Sequence, residues 1–186
     1  MGIGRREFLK AFGATIAAYA AGPLQPVVLG DAFYINRSLG LAFRQPPGWG
    51  YLSLKDFPQL KHAQVLEDDV ISSELLSGAD PFVAMTRPEP ARRDDVGASM
   101  TAYAEEFAFE PGESLSKLPR MTATVLSRVL KDYELLGEGE LISVSGVESI
   151  EYFARFQFIT GDLSVPARQR TVAGVRGGAI FTFNFF

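Results

Sequence analysis

The sequence predicts an α+β domain built on a mainly antiparallel sheet. Residues 141–186 alternate apolar and polar side chains in segments separated by glycine-containing turns, a pattern typical of strands joined by hairpins. The middle of the chain carries apolar residues at spacings of three and four, which favours helices. The chain has 186 residues, and without an N-terminal signal it fits one domain.

The N-terminus carries the pattern of a twin-arginine export signal. Arg5 and Arg6 are followed by three further residues that match this signal: Phe8, Leu9 and Lys10. The apolar run over residues 11–22 is shorter than the roughly 20 residues that cross a bilayer. We therefore expect a signal peptide and not a membrane anchor.

The signal sets the expected boundaries and compartment. Cleavage after Ala20 and cleavage after Gly30 both fit the sequence. We therefore assign residues 1–30 to the signal peptide and a short linker. Residues 31–186 then form the single domain. The expected location is the periplasm or the thylakoid lumen, and the cleaved chain is expected not to be transmembrane.

Composition narrows the classes of function. The chain has no cysteine and one histidine, which excludes disulfides, iron–sulfur clusters and c-type haem, so no cofactor is expected. Removing the charges of the signal lowers the 18 basic and 22 acidic residues to 15 and 21, a net charge of −6. This negative charge argues against nucleic acid as a partner.

The first two thirds of the mature chain give four predicted elements. Residues 39–43 alternate before a Pro-Pro-Gly-Trp turn and predict a strand, and residues 82–85 predict another. Residues 96–107 and 118–133 have apolar side chains at helical spacing. The sequence therefore predicts two helices in the middle of the chain.

The C-terminal third predicts an extended segment and three hairpin-linked strands. The extended segment covers residues 141–145 and ends at Gly146, and the strands follow at 150–158, 166–175 and 179–185. In the last strand three phenylalanines share one face: Phe181, Phe183 and Phe185. Burying three such rings is worth roughly 5 to 9 kcal/mol. We therefore expect the last strand to be central to the core.

Two short motifs and the order of elements resemble the PsbP-like proteins, a family named for a photosystem II accessory subunit. The motifs are LAFRQPPGW at residues 41–49, with a doubled proline, and VSGVES at residues 144–149. The resemblance covers nearly the whole mature chain. It implies an α/β/α sandwich on an antiparallel sheet, and a water-soluble accessory or binding protein on the far side of a membrane. It does not imply photosystem II as the partner.

No catalytic motif is supported, and we expect no enzymatic activity. Ser114 and Lys117 have the S-x-x-K spacing of penicillin-recognising enzymes, but the accompanying S-D-N and K-T-G motifs are absent. The resemblance also brings no shared catalytic residues. Residues 114–117 are explained more simply as a polar segment that leads into a helix.

His62 is the one imidazole available for a metal. It lies near three carboxylates, at Glu67, Asp68 and Asp69, and imidazole with carboxylate suits zinc or manganese. The simpler interpretation is a surface histidine among solvated acids.

Three arginines form the strongest candidate for a binding site. A hairpin turning near residues 161–162 places Arg155 opposite or diagonal to Arg168, with Arg170 two residues further on the same face. Like charges in such positions need acids or an anionic ligand across them. The simpler alternative is pairing with acids from a covering helix, such as Glu105 or Glu106. Otherwise the arginines attract an acidic partner or a lipid head group.

The sequence thus predicts an exported, noncatalytic accessory protein that docks on a membrane protein complex. The alternative is a carrier or sensor that binds a small ligand between sheet and helices. In that case Trp49, Tyr103 and Tyr133 are the expected lining residues.

Overall fold

The structure is a computed structural model, and it describes a defined part of the chain. The described residues are 27–29, 33–36, 38–52, 54, 80–87, 98–109, 114–160 and 163–186. The export motif, both cleavage positions and His62 with its neighbouring acids lie outside these residues. The predictions on the signal, on the domain boundaries and on a metal therefore stay predictions.

The described residues contain ten strands, one short 3-10 helix and one α-helix. In chain order they are β1 (Val27–Leu29), β2 (Phe33–Asn36), β3 (Leu41–Arg44), β4 (Gly50–Tyr51), β5 (Val83–Thr86), β6 (Ser99–Glu106), the 3-10 helix (Leu115–Lys117), α1 (Leu118–Leu126), β7 (Lys131–Val144), β8 (Val147–Thr160), β9 (Leu163–Arg176) and β10 (Ala179–Phe185).

The strands form two sheets in which every described pair is antiparallel. A small sheet has the order β1-β2-β3, and a seven-stranded sheet has the order β4-β5-β6-β10-β9-β8-β7. With α1 and the 3-10 helix packed against the larger sheet, the fold is α+β with a mainly antiparallel sheet, as predicted. Strand β10 lies fourth of seven, which confirms that the last strand is central.

The larger sheet has two different faces. The helix face packs against α1 and the 3-10 helix through one hydrophobic cluster, made of Leu115, Leu118, Ile150, Tyr152, Ala173 and Ile180. On the opposite face a second cluster is formed by residues of β5 and β6 and one residue of β2: Val83, Met85, Met100, Ala102 and Tyr34. Phe183 and Phe185 pack against this second cluster and are half-buried, as is Phe181.

The predicted helix over residues 96–107 is wrong, because residues 99–106 form strand β6. Met100 and Ala102 are buried in the cluster on the opposite face, while Glu105 is buried on the helix face. A strand covered on both faces loses the simple apolar–polar alternation. Its apolar residues therefore also fit a helical spacing, and the pairing with β5 and β10 decides the structure.

The second predicted helix exists but is shorter than residues 118–133. Helix α1 starts with Pro119 in its first turn, which suits a helix N-terminus, and it ends at Leu126. Val129 is buried in the turn that follows, and Asp132 has a φ of 54° at the start of β7. Tyr133 therefore belongs to the edge strand. The hairpins predicted after residue 146 are confirmed, with Ser145 and Gly146 both at positive φ in the first turn.

Candidate functional site

The register of the β8–β9 hairpin brings the predicted arginines together. Arg155 is the direct partner of Arg168, and Phe153 is the direct partner of Arg170. Directly opposed residues of an antiparallel pair share a face, so all three arginines lie on the face opposite α1. This is the arrangement that the hairpin predicted, while a binding role for the arginines remains a prediction.

The pairing extends sideways into cross-strand rows. One row runs across three strands as Glu134, Arg155 and Arg168, and the next runs across four strands as Leu136, Phe153, Arg170 and Phe185. Strands lie about 4.8 Å apart, so the longer row spans about 14 Å. We call these two rows, together with Glu151, the arginine face.

Two of the three arginines have carboxylate partners on neighbouring strands. The guanidinium of Arg155 donates to Glu134 Oε2 at 2.5 and 2.7 Å, and Arg170 Nε donates to Glu151 Oε1 at 2.5 Å. The guanidinium of Arg170 also lies 5.6 Å from the ring centroid of Phe185, at the distance of a cation–π contact. Both guanidinium groups therefore have a carboxylate partner within the sheet.

The simpler alternative, pairing with acids, holds for Arg155 and Arg170, but the acids are not Glu105 or Glu106. Glu105 is buried and points to the helix face, because it lies in register with Ile180. Glu106 lies in register with Ala179, at the end of β10 remote from Phe185. The acids that balance the arginines are Glu134 on β7, whose register the β8–β9 hairpin does not set, and Glu151 on β8, which this hairpin places diagonal to Arg170.

Arg168 is exposed and has no carboxylate at ion-pairing distance among the residues that the structure describes. Lys131, in register with Gln157, adds another exposed cation on the same face beside the row of Glu134. At the other end of the face Glu140 lies in register with Glu151. The face is therefore positive at the Arg168 end and negative at the Glu140 end.

Large apolar side chains are exposed beside these charges. Leu136 is 40% exposed and Phe153 is 44% exposed, and the two are direct neighbours on β7 and β8. A shallow groove of about 460 Å³ is lined by Leu136, Phe153, Ala154, Arg168, Gln169, Arg170, Phe185 and Phe186. An exposed apolar surface with charged residues around it is typical of a contact surface for another molecule.

The sequence held a signal for part of this groove. Phe153 falls on the polar side of the alternation in β8, with Glu151 and Arg155 as its same-face neighbours. The alternation therefore predicts that this aromatic ring lies on the same face as the two charged side chains. Leu136 and Phe185 gave no such signal, since their positions depend on the register of β7 and β10.

A buried acid on the helix face is the most perturbed carboxyl group that the structure describes. Glu105 is 5% exposed, its Oε1 has no hydrogen-bond partner, and burial raises its pKa to about 8. Burial also raises the pKa of Tyr103 on the same face, with smaller contributions from Glu105 and Asp80. Glu105 is therefore mostly protonated at neutral pH, because a carboxyl with raised pKa keeps its proton.

Polar residues near the middle of the helix face satisfy one another. Thr171 Oγ1 donates to Asn184 Oδ1 at 2.8 Å, and Gln169 Nε2 donates to both partners at 3.0 Å. Thr171 is fully buried. This network has its hydrogen bonds filled within the protein, which indicates a structural role.

The aromatic residues expected to line a small-ligand site do not lie together. Trp49 packs against the cluster of Tyr34 on the face opposite α1. Tyr103 lies on the helix face of β6, and Tyr133 lies on β7 with its ring 6.3 Å from that of Phe156. Four strand spacings separate β6 from β7, about 19 Å. The three residues therefore do not line one site.

The remaining features are the Ser114 motif, potential metal ligands and membrane-spanning helices. Ser114 is exposed and its hydroxyl lies 2.8 Å from that of Ser116. No group of three or more potential metal ligands occurs among the described residues. In the same part of the chain, none of the helices has the length and apolarity needed to cross a membrane.

Comparison with known proteins yields likeness at the level of the fold. No family model and no curated protein matches the chain. The chain is similar to the solution structure of cyanobacterial PsbP (CyanoP) from Synechocystis sp. PCC 6803, with 15% identity and a TM-score of 0.47, over 89% of this chain and 85% of that one. It is also similar to the crystal structure of LpqN, described as involved in cell envelope biogenesis of Mycobacterium tuberculosis. That match has 16% identity and a TM-score of 0.43, and it covers 92% of this chain and 82% of LpqN.

Proposed function

We propose that the protein is an exported, noncatalytic accessory protein that docks through its arginine face on a membrane protein complex, on the periplasmic or lumenal side. The observation that carries the proposal is Arg168. It is exposed, lies in register with Arg155, and has no carboxylate at pairing distance in the described part of the chain. An acidic surface of a partner would supply the missing charge.

The arginine face can contribute both charge and apolar area to such a contact. Phe153 has 44% of its surface exposed, and covering it would be worth roughly 2 kcal/mol at about 25 cal/mol per Å². An ion pair at the rim adds less affinity but sets orientation and the rate of association. The positive end of the face also contrasts with the net charge of −4 for the whole chain.

Export and the absence of catalysis belong to the same proposal. The twin-arginine pattern at Arg5 and Arg6 supports export. The resemblance of the sequence to PsbP-like proteins agrees with an accessory role beyond a membrane. The lack of a supported catalytic motif favours a role in binding.

Site-specific photo-crosslinking in the host tests the proposal. A photoreactive phenylalanine analogue replaces Phe153 in one variant and Leu141 in another. Leu141 is a matched control, because it is 54% exposed and lies in register with Ile150, which belongs to the helix face. We expect position 153 to give a discrete adduct with a subunit of a membrane complex, identified by mass spectrometry.

The control defines the result that would contradict the proposal. Position 141 should give no such adduct, and excess salt added before irradiation should weaken the adduct at position 153, because exposed charges are screened. Equal adducts at both positions, or none with a membrane protein at position 153, would refute docking through this face.

A further inference from the structure

The groove and the positive end of the arginine face lie close enough to be bound by one short segment. Arg168 is the direct partner of Arg155, which is two residues from Phe153 on β8. Arg168 and Phe153 are therefore diagonal neighbours, which lie about 7 to 8 Å apart in an antiparallel pair, with their Cβ atoms somewhat closer. A ligand that contacts both needs an acidic and an apolar group at a similar separation.

An extended chain provides this separation at alternate residues. Each residue of a strand rises about 3.4 Å, so side chains two residues apart lie about 6.8 Å apart and point the same way. Adjacent residues point to opposite sides. In a helix, residues three or four apart have Cβ atoms about 5 to 6 Å apart, which is a poorer match.

The charges along the face also fix a direction. Arg168 and Lys131 mark the positive end, while Glu140 and Glu151 lie in register with each other at the negative end. A carboxylate is favoured near Arg168 and disfavoured near Glu140, because opposite charges attract and like charges repel. The carboxylate of the segment should thus lie next to Arg168, and its apolar side chain should lie against Phe153 and Leu136.

We propose that the arginine face binds an extended acidic segment of a protein partner, in which a large apolar residue lies two positions from an aspartate or glutamate. This inference rests on the proposed function and specifies its partner. Arg168 pairs with the carboxylate, and the apolar side chain enters the groove of about 460 Å³. Arg155 and Arg170 are held by Glu134 and Glu151 and frame the site.

Titration of the ¹⁵N-labelled full-length chain with defined peptides, followed by NMR, tests the spacing. The probe is an acetylated and amidated Gly-Ser-Glu-Ser-Phe-Ser-Gly peptide. Three controls have the glutamate replaced by glutamine, the glutamate and phenylalanine made adjacent, or the two placed four residues apart. We expect saturable amide shifts around residues 153 and 168, and at least about fivefold weaker binding of every control peptide.

Variants of the protein complete the test. Arg168→Glu should weaken binding of the probe at least about fivefold, whereas Arg176→Glu should leave it unchanged. Arg176 is an exposed residue of the same strand, eight residues or about 27 Å from Arg168. Equal binding of all four peptides, shifts located elsewhere, or no binding would overturn the inference. If position 153 still crosslinks to a membrane subunit in that case, docking stands and only the segment type is wrong.

Discussion

Replacing Glu105 with glutamine should remove a large part of the pH dependence of stability. The carboxyl group of Glu105 is 5% exposed, and burial raises its pKa from 4.5 to about 8. In the unfolded chain the group has its ordinary pKa, so between these two values the folded state holds a proton that the unfolded state has lost. The stabilisation from this proton is complete below pH 4.5 and is lost as pH rises to 8.

The size of the effect follows from the same two pKa values. Where one state holds one proton more than the other, the free energy of unfolding changes by about 1.4 kcal/mol per pH unit. Between pH 5.5 and 7.5 the ionisation of Glu105 alone should therefore lower stability by roughly 2 to 3 kcal/mol. Glutamine keeps the size of the side chain and does not titrate.

Urea denaturation at pH 5.5 and pH 7.5 measures this loss. The loss in the wild type should exceed that in Glu105→Gln by roughly 2 to 3 kcal/mol. Glu106→Gln, at an exposed position next in the strand, should behave as the wild type. If Glu105→Gln loses as much stability with rising pH as the wild type does, the carboxyl group is not buried in the way described.

Three further predictions concern stability and can be checked together by thermal and urea denaturation. Phe153→Ala should cost roughly 1 to 2 kcal/mol because Phe153 is only partly buried, with 44% exposed, whereas Ile150→Ala, at 1% exposure, should cost about 2 to 5 kcal/mol. Equal losses would contradict the exposure of Phe153. Gly139→Ala should destabilise more than Gly137→Ala. Both glycines have a φ of 90°, a conformation that costs alanine about 1 to 2 kcal/mol. In addition, a Cβ at position 139 would lie 3.1 Å from two neighbouring atoms, whereas a Cβ at position 137 would meet none within 4 Å. A milder effect at 139 would contradict this packing. Thr171→Val should cost about 1 to 3 kcal/mol, since it leaves buried polar neighbours without their hydroxyl partner, and a neutral result would contradict the network.

Strand pairs with short turns could be predicted from the sequence. The alternation in β8 and β9 and the turn between them determined the register that brings Arg155 opposite Arg168. The central place of β10 followed from its apolar residues. Local patterns suffice in these cases because a hairpin pairs residues that are close in the chain.

Features that depend on distant pairing could not be predicted. Strand β6 is covered on both faces, so its apolar residues fit helical spacing as well as a buried strand. Glu134, the partner of Arg155, comes from β7, and the register of β7 shifts between Lys131 and Glu134, where Asp132 has a positive φ. A shift of this kind changes which side chains share a face, and the sequence pattern does not show it.

Recovery of the protein with host membranes tests the docking role of Arg168 most directly. Wild type, Arg168→Glu and Arg176→Glu are compared at low and at high salt, with the charge change identical in the two variants. We expect Arg168→Glu to reduce recovery at least about fivefold at low salt, Arg176→Glu to match the wild type, and high salt to lower recovery of the wild type. Recovery of Arg168→Glu equal to the wild type at both salt concentrations would contradict the account.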